Sequence, residues 1–313
     1  MKLTYFQGTP PNFGDEVNAM MWQHLLPAGF LDEDDTTLFL GVGSILWDFL
    51  PKAPRKIVAG SGYGGYTAPP DVHDGSWEVL WLRGPRTADH LRLPRAQAIT
   101  DAAVLLRAIP LPVPAVVPGD GVCFMPHVDS MARGDWPRVC AMAGITFLDP
   151  RAPVDGTLAL IRGARLVITE AMHGAIIADA LRRPWVGVLP THTAHRAKWD
   201  DWALSLDIAL APVRLGPSNL REGWTRLTGL YATGQRSRLV MDGPLAFPAN
   251  YAVAERTARQ LQRLASGATA QLSSDAAIER ATERCLDALD LFVTRTGPRT
   301  GPRMRQDELM EAS

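Results

Sequence analysis

Glu170 and His173 stand three residues apart where an aliphatic run, 166–169, gives way to the helix-compatible stretch E-A-M-H-G-A-I-I-A-D-A-L at 170–181. Residues at that spacing share one helix face, so an acid and an imidazole would sit together at the first turn. There the positive end of the helix dipole lowers an imidazole pKa and a bound phosphate raises it. His173 therefore reads as a proton donor tuned by its substrate, or as a packed histidine satisfied by one hydrogen bond. His127, in F-M-P-H at 124–127, also follows directly on an apolar run.

Other residues in comparable places have the chemistry of anion binding. Arg83 and Arg86, in R-G-P-R-T at 83–87, could grip a carboxylate or phosphate bidentately, with Arg83 nearer the end of its run. Lys198 is one of only four lysines among 32 basic residues. Its compact ammonium suits a phosphate, or it is an ordinary solvated lysine. Asn12, in N-F-G-D-E at 12–16, could cap a helix whose free N–H groups hold an anion. Gly43 and Ser44, in G-V-G-S at 41–44, would let a ligand approach the backbone. Asp101, in T-D at 100–101, is a helix cap or a cleft carboxylate. The glycines at 60–65 form neither a dinucleotide fingerprint nor a P-loop. His192 and His195 lack a third ligand at zinc spacing, so no metal is expected.

These positions matter because of the elements that must carry them. Short aliphatic runs at 3–6, 37–42, 56–59, 77–82, 98–100, 122–125, 145–148, 166–169, 186–189 and 208–211 read as buried parallel strands. Helix-compatible stretches at 16–26, 85–91, 131–143 and 171–181 alternate with them, which defines an α/β chain. In such sheets ligands sit beyond the carboxyl ends of strands. The Pro-rich stretch at 109–118 is a linker, giving an N-terminal half over 1–117 and a second half over 118–292. Two Rossmann-like halves facing a cleft are the expected architecture. Amphipathic helices at 252–264 and 274–292 close the second half, and 293–313 reads as a disordered tail.

Thirty-two Lys+Arg against 33 Asp+Glu leave a formal charge of −1, which argues against a nucleic-acid partner. Three scattered cysteines suggest no disulfide framework. The opening residues do not read as a signal peptide, and no apolar run reaches the ~20 residues of a membrane span. A cytoplasmic protein is expected.

Taken in order, N-F-G-D-E, G-V-G-S, G-S-G-Y-G, R-G-P-R-T, T-D, P-H, the 170–181 block and K-W-D-D-W at 198–202 resemble the polysaccharide pyruvyl transferase family over about residues 1–210. The resemblance implies a GT-B-like fold and transfer of a pyruvyl group from phosphoenolpyruvate to two sugar hydroxyls, forming a ketal and releasing phosphate. No cofactor beyond that donor is implied. The acceptor would be a sugar of a polysaccharide or lipid-linked oligosaccharide, met through a peripheral contact with the inner membrane. On this reading His173, with Glu170 beside it, is the acid or phosphate contact. Arg83 and Lys198 hold the donor's charge, and Asp15 or Asp101 serves as base or acceptor ligand. Many relatives carry R-L-H where this chain has A-M-H at 171–173, which shifts anion binding toward Arg83 or Arg86. A nucleotide-sugar glycosyltransferase and a non-catalytic glycan-binding protein are the competing readings.

Overall fold

The computed structural model describes residues 1–230 and 232–296. Two parallel four-stranded sheets organise them. The first comprises β1 (Lys2–Thr4), β2 (Thr37–Leu40), β3 (Arg55–Ala59) and β4 (Trp77–Trp81), paired in the order β1-β2-β3-β4. The second comprises β5 (Val122–Met125), β6 (Thr146–Phe147), β7 (Leu166–Thr169) and β8 (Trp185–Gly187), in the order β6-β5-β7-β8. β5 and β7 are buried along their whole length, as continuous aliphatic strands covered on both faces should be.

The two sheets differ in how the chain winds. From β5 it moves outward to β6 and then returns to the other side of β5 to form β7. A reversal of this kind opens a crevice beyond the carboxyl ends of the two central strands. The first sheet runs in strict sequence and has no reversal, so it lacks the strand order expected of a Rossmann-like half. The expected strand at 98–100 contributes only an isolated bridge from Ala98 to Leu82, after which the chain enters a buried 3₁₀ segment, Ala102–Ala108. The expected strand at 208–211 also does not form. The Gln271 side chain bonds Ala211 N–H and Ala209 C=O, and Val213 makes the bridge to Val188 instead.

The helices are α1 (Phe13–Leu25), α2 (Pro85–His90), α3 (Val128–Met131), α4 (Trp136–Ala143), α5 (Val154–Gly163) and α6 (Met172–Ala180). They continue with α7 (Ala197–Ser205), α8 (Leu220–Thr228), α9 (Gln235–Met241), α10 (Phe247–Gly267) and α11 (Asp275–Thr296). The single helix expected at 131–143 is two, interrupted at Gly134 and Asp135, with Pro137 in the first turn of α4.

In α1, Phe13, Val17, Met21 and Trp22 form the buried stripe of an amphipathic helix, and Asp15 and Glu16 sit in its first turn where the dipole favours anions. One apolar cluster runs from Phe39 and Ile57 of the first sheet through Phe13, Met21 and Met172 to Cys123 and Val167 of the second. α10 covers the other face of the second sheet through Ala254, Ala258 and Leu261. α11 does not close the second half. Its stripe of Ile278, Ala281, Cys285, Leu289 and Phe292 returns to the first sheet, where Phe292 lies 6.4 Å from Phe39. The tail expected from 293 therefore starts with the last turn of α11, and 297–313 lie outside the described residues.

Candidate active site

Two motifs of the sequence, 118 residues apart at Arg83 and Asp201, meet in a buried brace. Arg83, at the end of β4, is fully buried. Its Nε donates to Asp201 Oδ2 at 3.0 Å, its Nη1 to Ser44 Oγ at 2.6 Å and its Nη2 to the Tyr63 carbonyl at 2.9 Å. A Cβ at position 62 would collide with the guanidinium, so glycine is required there to let the group lie flat. Asp201 of α7 accepts in addition from Thr87 N–H at 3.0 Å and Thr87 Oγ1 at 2.6 Å. R-G-P-R-T and K-W-D-D-W thus read in space as one clamp. Arg86 pairs with Asp200 at 2.9 Å on the exposed surface. Gly43 and Ser44 support this frame: Gly62 N–H donates to the Gly43 carbonyl at 2.9 Å, and Ser44 is taken up by Arg83.

A second group surrounds His173. The first turn of α1 packs directly against the second residue of α6, and a side chain at Gly14 would overlap His173 Nδ1. Asp101, at the start of the 3₁₀ segment, uses Oδ1 to accept from Ala103 N–H at 3.0 Å. Its Oδ2 lies 3.7 Å from His173 Nε2. Both of those atoms are buried without a hydrogen-bond partner among the described residues. Buried polar atoms are rarely left so, and a pair of them facing one another calls for a functional or structural reason.

Asp15 is buried beside this pair. Asn12 takes the N-cap position of α1, but its amide donates to Asp15 Oδ2 at 2.7 Å and makes no cap bond. Burial raises the Asp15 carboxyl above its ordinary value, against the opposing pull of His173, Asn12 and Lys198. Lys198, at the start of α7, makes no hydrogen bond or ion pair among the described residues, and its Nζ stands 6.0 Å from the Tyr66 ring centre. Burial first, and then the charge of Arg83, lower its pKa to about 8.

The third group lies at the crevice between β5 and β7. Glu170 follows β7, but its carboxylate turns away from His173. Oε2 accepts from His127 N–H at 3.0 Å and Oε1 from Thr191 N–H at 3.0 Å, tying three strand ends together. Glu170 precedes the helix, so it does not share a face of α6 with His173. His127 caps α3, its Nδ1 accepting from Asp129 N–H at 3.2 Å. Its ring stacks on that of His195 at 4.1 Å. Burial and the charges of Lys198 and His195 hold His127 well below the ordinary histidine pKa. His195 bonds Asp129 Oδ2 through Nε2 at 2.8 Å and the Tyr66 hydroxyl through Nδ1 at 2.8 Å. That bond keeps the Asp129 carboxyl far below its usual range.

His127, Asp129 and His195 are also close enough together to be weighed as a metal site. Their geometry does not favour one. An imidazole binds a metal in its own plane, and two rings stacked at 25° do not direct lone pairs at a common point. The backbone N–H of Asp129 already occupies His127 Nδ1.

The structure sets Asp101 against His173, brings His173 and Lys198 to bear on Asp15, and places His127 within reach of the Lys198 charge. It places Arg83, Gly43, Ser44 and Glu170 in the supporting frame, with Arg86 on the surface. Sequence reasoning missed Tyr66, Asp129 and Arg133. Arg133 is buried, donates to the Asp129 carbonyl at 2.9 Å, and lowers the pKa of His192 after burial itself. The signal for Asp129 was its place two residues after His127. Nothing local marked Tyr66.

A model of the family described as "Polysaccharide pyruvyl transferase" matches residues 28–192, a span that includes Asp101, Glu170 and His173. The chain belongs to the polysaccharide pyruvyl transferase family: it is a transferase that moves pyruvyl groups to polysaccharide. Among individual proteins it is 34% identical over 324 residues to the succinoglycan biosynthesis protein ExoV of Rhizobium meliloti (strain 1021), covering 93% of this chain and 98% of the relative. Against solved structures it matches a crystal structure of the calicheamicin glycosyltransferase CalG4 at 15% identity and a TM-score of 0.25, over 79% of this chain and 54% of that one. A likeness that slight carries no weight for the fold.

Proposed function

We propose that the donor is phosphoenolpyruvate, that its acceptor is a sugar of an exopolysaccharide repeat unit, free or lipid-linked, and that both meet in the space around His173. The observation that carries this reading is the buried pair of His173 Nε2 and Asp101 Oδ2, which face one another with no hydrogen bond to the chain among the described residues. Lys198, which acts with His173 on the Asp15 carboxyl, supplies positive charge for the donor's phosphate or carboxylate. With Arg83 consumed by Asp201, Lys198 is the principal cation left to the donor. His173 protonates the donor methylene as the adjacent carbon becomes oxocarbenium-like. Asp15 contacts an acceptor hydroxyl.

Two halves divided at 117/118 face the cleft in a GT-B-like manner, with α11 strapped back onto the first. The ExoV likeness supports exopolysaccharide assembly as the setting. Three buried free cysteines suit a cytoplasmic enzyme, which would meet a lipid-linked acceptor peripherally at the inner membrane. Among the described residues no helix is long and apolar enough to cross a membrane.

Phosphate release from phosphoenolpyruvate in the presence of an acceptor glycan tests the reading. His173→Ala should lose about 10²- to 10⁴-fold in turnover, the usual worth of a general acid, while keeping its thermal stability. Full turnover by a folded His173→Ala enzyme would remove His173 from the chemistry.

A further inference from the structure

We propose that Tyr66, His195 and Asp129 form a proton relay that takes the proton of the first attacking acceptor hydroxyl, with the Tyr66 phenol as its outer end. The proposal rests on the pyruvyl-transfer reading and deepens it by naming the base.

The three groups lie in line. Asp129 Oδ2 is 2.8 Å from His195 Nε2, and His195 Nδ1 is 2.8 Å from the Tyr66 oxygen. An ionised carboxylate only accepts, so Nε2 must carry the imidazole proton, and the lone pair of Nδ1 is left to face the phenol. The phenol then donates inward and can accept from a hydroxyl arriving from outside. This is the arrangement of an acid, a histidine and a hydroxyl group found in triads, with a phenol at the end. Here the phenol passes a proton and forms no covalent bond.

The middle of the relay is its least exposed part. Tyr66 is 44% exposed, while the side chains of Asp129 and His195 are 35% and 13% exposed. The half-exposed phenol is the group of the three best placed to meet an incoming acceptor hydroxyl first. Tyr66 comes from the loop after β3 and His195 from the loop after β8, so the relay exists only when the two halves are together. Lys198 Nζ, 6.0 Å from the centre of the Tyr66 ring, favours negative charge developing on the phenol. The groups facing His195 are Tyr66 from the first half, His127 and Asp129 at the start of α3, His192 from its own loop, and Lys198 and Arg133 beyond them.

The reaction balances as follows. His173 gives a proton to the donor methylene, and the first hydroxyl oxygen bonds to the adjacent carbon. Its proton passes to the Tyr66 oxygen as the phenolic proton passes to His195 Nδ1. The carbon–oxygen bond to phosphate then breaks, the second hydroxyl adds, and its proton leaves with the phosphate. Exchange with bulk water returns the relay and His173 to their starting protonation. Of the two hydroxyl protons, one is thus accounted for in the new methyl group and the other in the released phosphate.

Tyr66→Phe, a change at a half-exposed position that removes only the oxygen, should lower kcat about 100-fold with phosphoenolpyruvate and an acceptor glycan. KM for the donor should stay within about threefold, because no donor contact is lost. Asp129→Asn should change the pH dependence of kcat, displacing its acid limb, which a residue holding only the fold would leave in place. Long-range ¹H–¹⁵N correlation spectra of the imidazoles provide a readout independent of turnover. In the wild type His195 should be protonated at Nε2, and in Asp129→Asn it should become a mixture of tautomers. Unchanged kcat in Tyr66→Phe, or a wild-type His195 protonated at Nδ1, would overturn the relay. A wild-type enzyme that shows the expected tautomer but releases no phosphate from phosphoenolpyruvate would overturn the donor assignment and leave the relay standing.

Discussion

The brace around Arg83 and the space around His173 use the same side-chain chemistry to opposite ends. In the brace, one guanidinium and one carboxylate meet with no solvent between them, and the atoms of both find partners: Arg83 reaches Asp201, Ser44 and Tyr63, and Asp201 reaches Arg83 and Thr87. Around His173 an imidazole and a carboxylate stand 3.7 Å apart, and neither facing atom has a hydrogen bond among the described residues. A satisfied buried network fixes one arrangement of its elements, whereas an unsatisfied one keeps its polar atoms available for other partners. A residue type in a promising motif therefore does not reveal its role. The partners it has already taken do.

The comparison is broken most directly at Arg83. Arg83→Ala leaves Asp201 charged and buried without its cation, which should cost about 3–5 kcal/mol of stability in denaturant unfolding. The surface pair of Arg86 and Asp200, with both side chains nearly half exposed, provides the contrast, and Arg86→Ala should shift stability by no more than about 0.5 kcal/mol. If Arg83→Ala instead kept its stability and lost donor binding, Arg83 would belong to the site and the distinction between the two regions would fail.

Much of the frame was legible in the sequence because it is written locally. The strands at 122–125 and 166–169 have the expected limits, and His127, His173 and Asp101 were found by reading the residues just past predicted strands. The failures share one cause. Glu170 is three residues from His173, which suggested a pair, but its carboxylate serves two backbone N–H groups from other loops. Arg83 was the natural anion ligand until Asp201, 118 residues further on, claimed it. Tyr66 and His195 touch across 129 residues and two connecting loops with no periodic pattern. Which charge meets which is decided by tertiary structure, and no single motif records it.

Lys198 sharpens the comparison from the side of the ligand. Its pKa of about 8 means that the ammonium is held below that pH and lost above it. Donor KM should accordingly be steady in neutral solution and rise as pH climbs through about 8. Lys198→Ala should raise donor KM about 10- to 100-fold at neutral pH, the worth of one charged hydrogen bond, and should abolish that alkaline rise. A variant with the wild-type pH dependence of KM would show that another group titrates there.

Asp15 gives a smaller effect whose sign is the informative part. Burial raises its folded-state pKa above the ordinary carboxylate value, so folding favours the protonated acid. The stability linked to this group is then fully present below the unfolded-state pKa and is lost as pH rises through the folded-state one. Above its folded-state pKa the desolvated carboxylate is a cost that the site tolerates for the sake of its chemistry. Asp15→Asn removes the charge and keeps an oxygen to accept from Asn12. It should therefore stabilise the protein at pH 7 by about 1 kcal/mol, within the range of changes that relieve a functional site. The gain should shrink on acidification and vanish near pH 3, where the wild-type carboxyl is protonated in both states. Turnover should fall in the same variant. A loss of stability at pH 7 would place Asp15 with Arg83 in the brace, as a group held for structure.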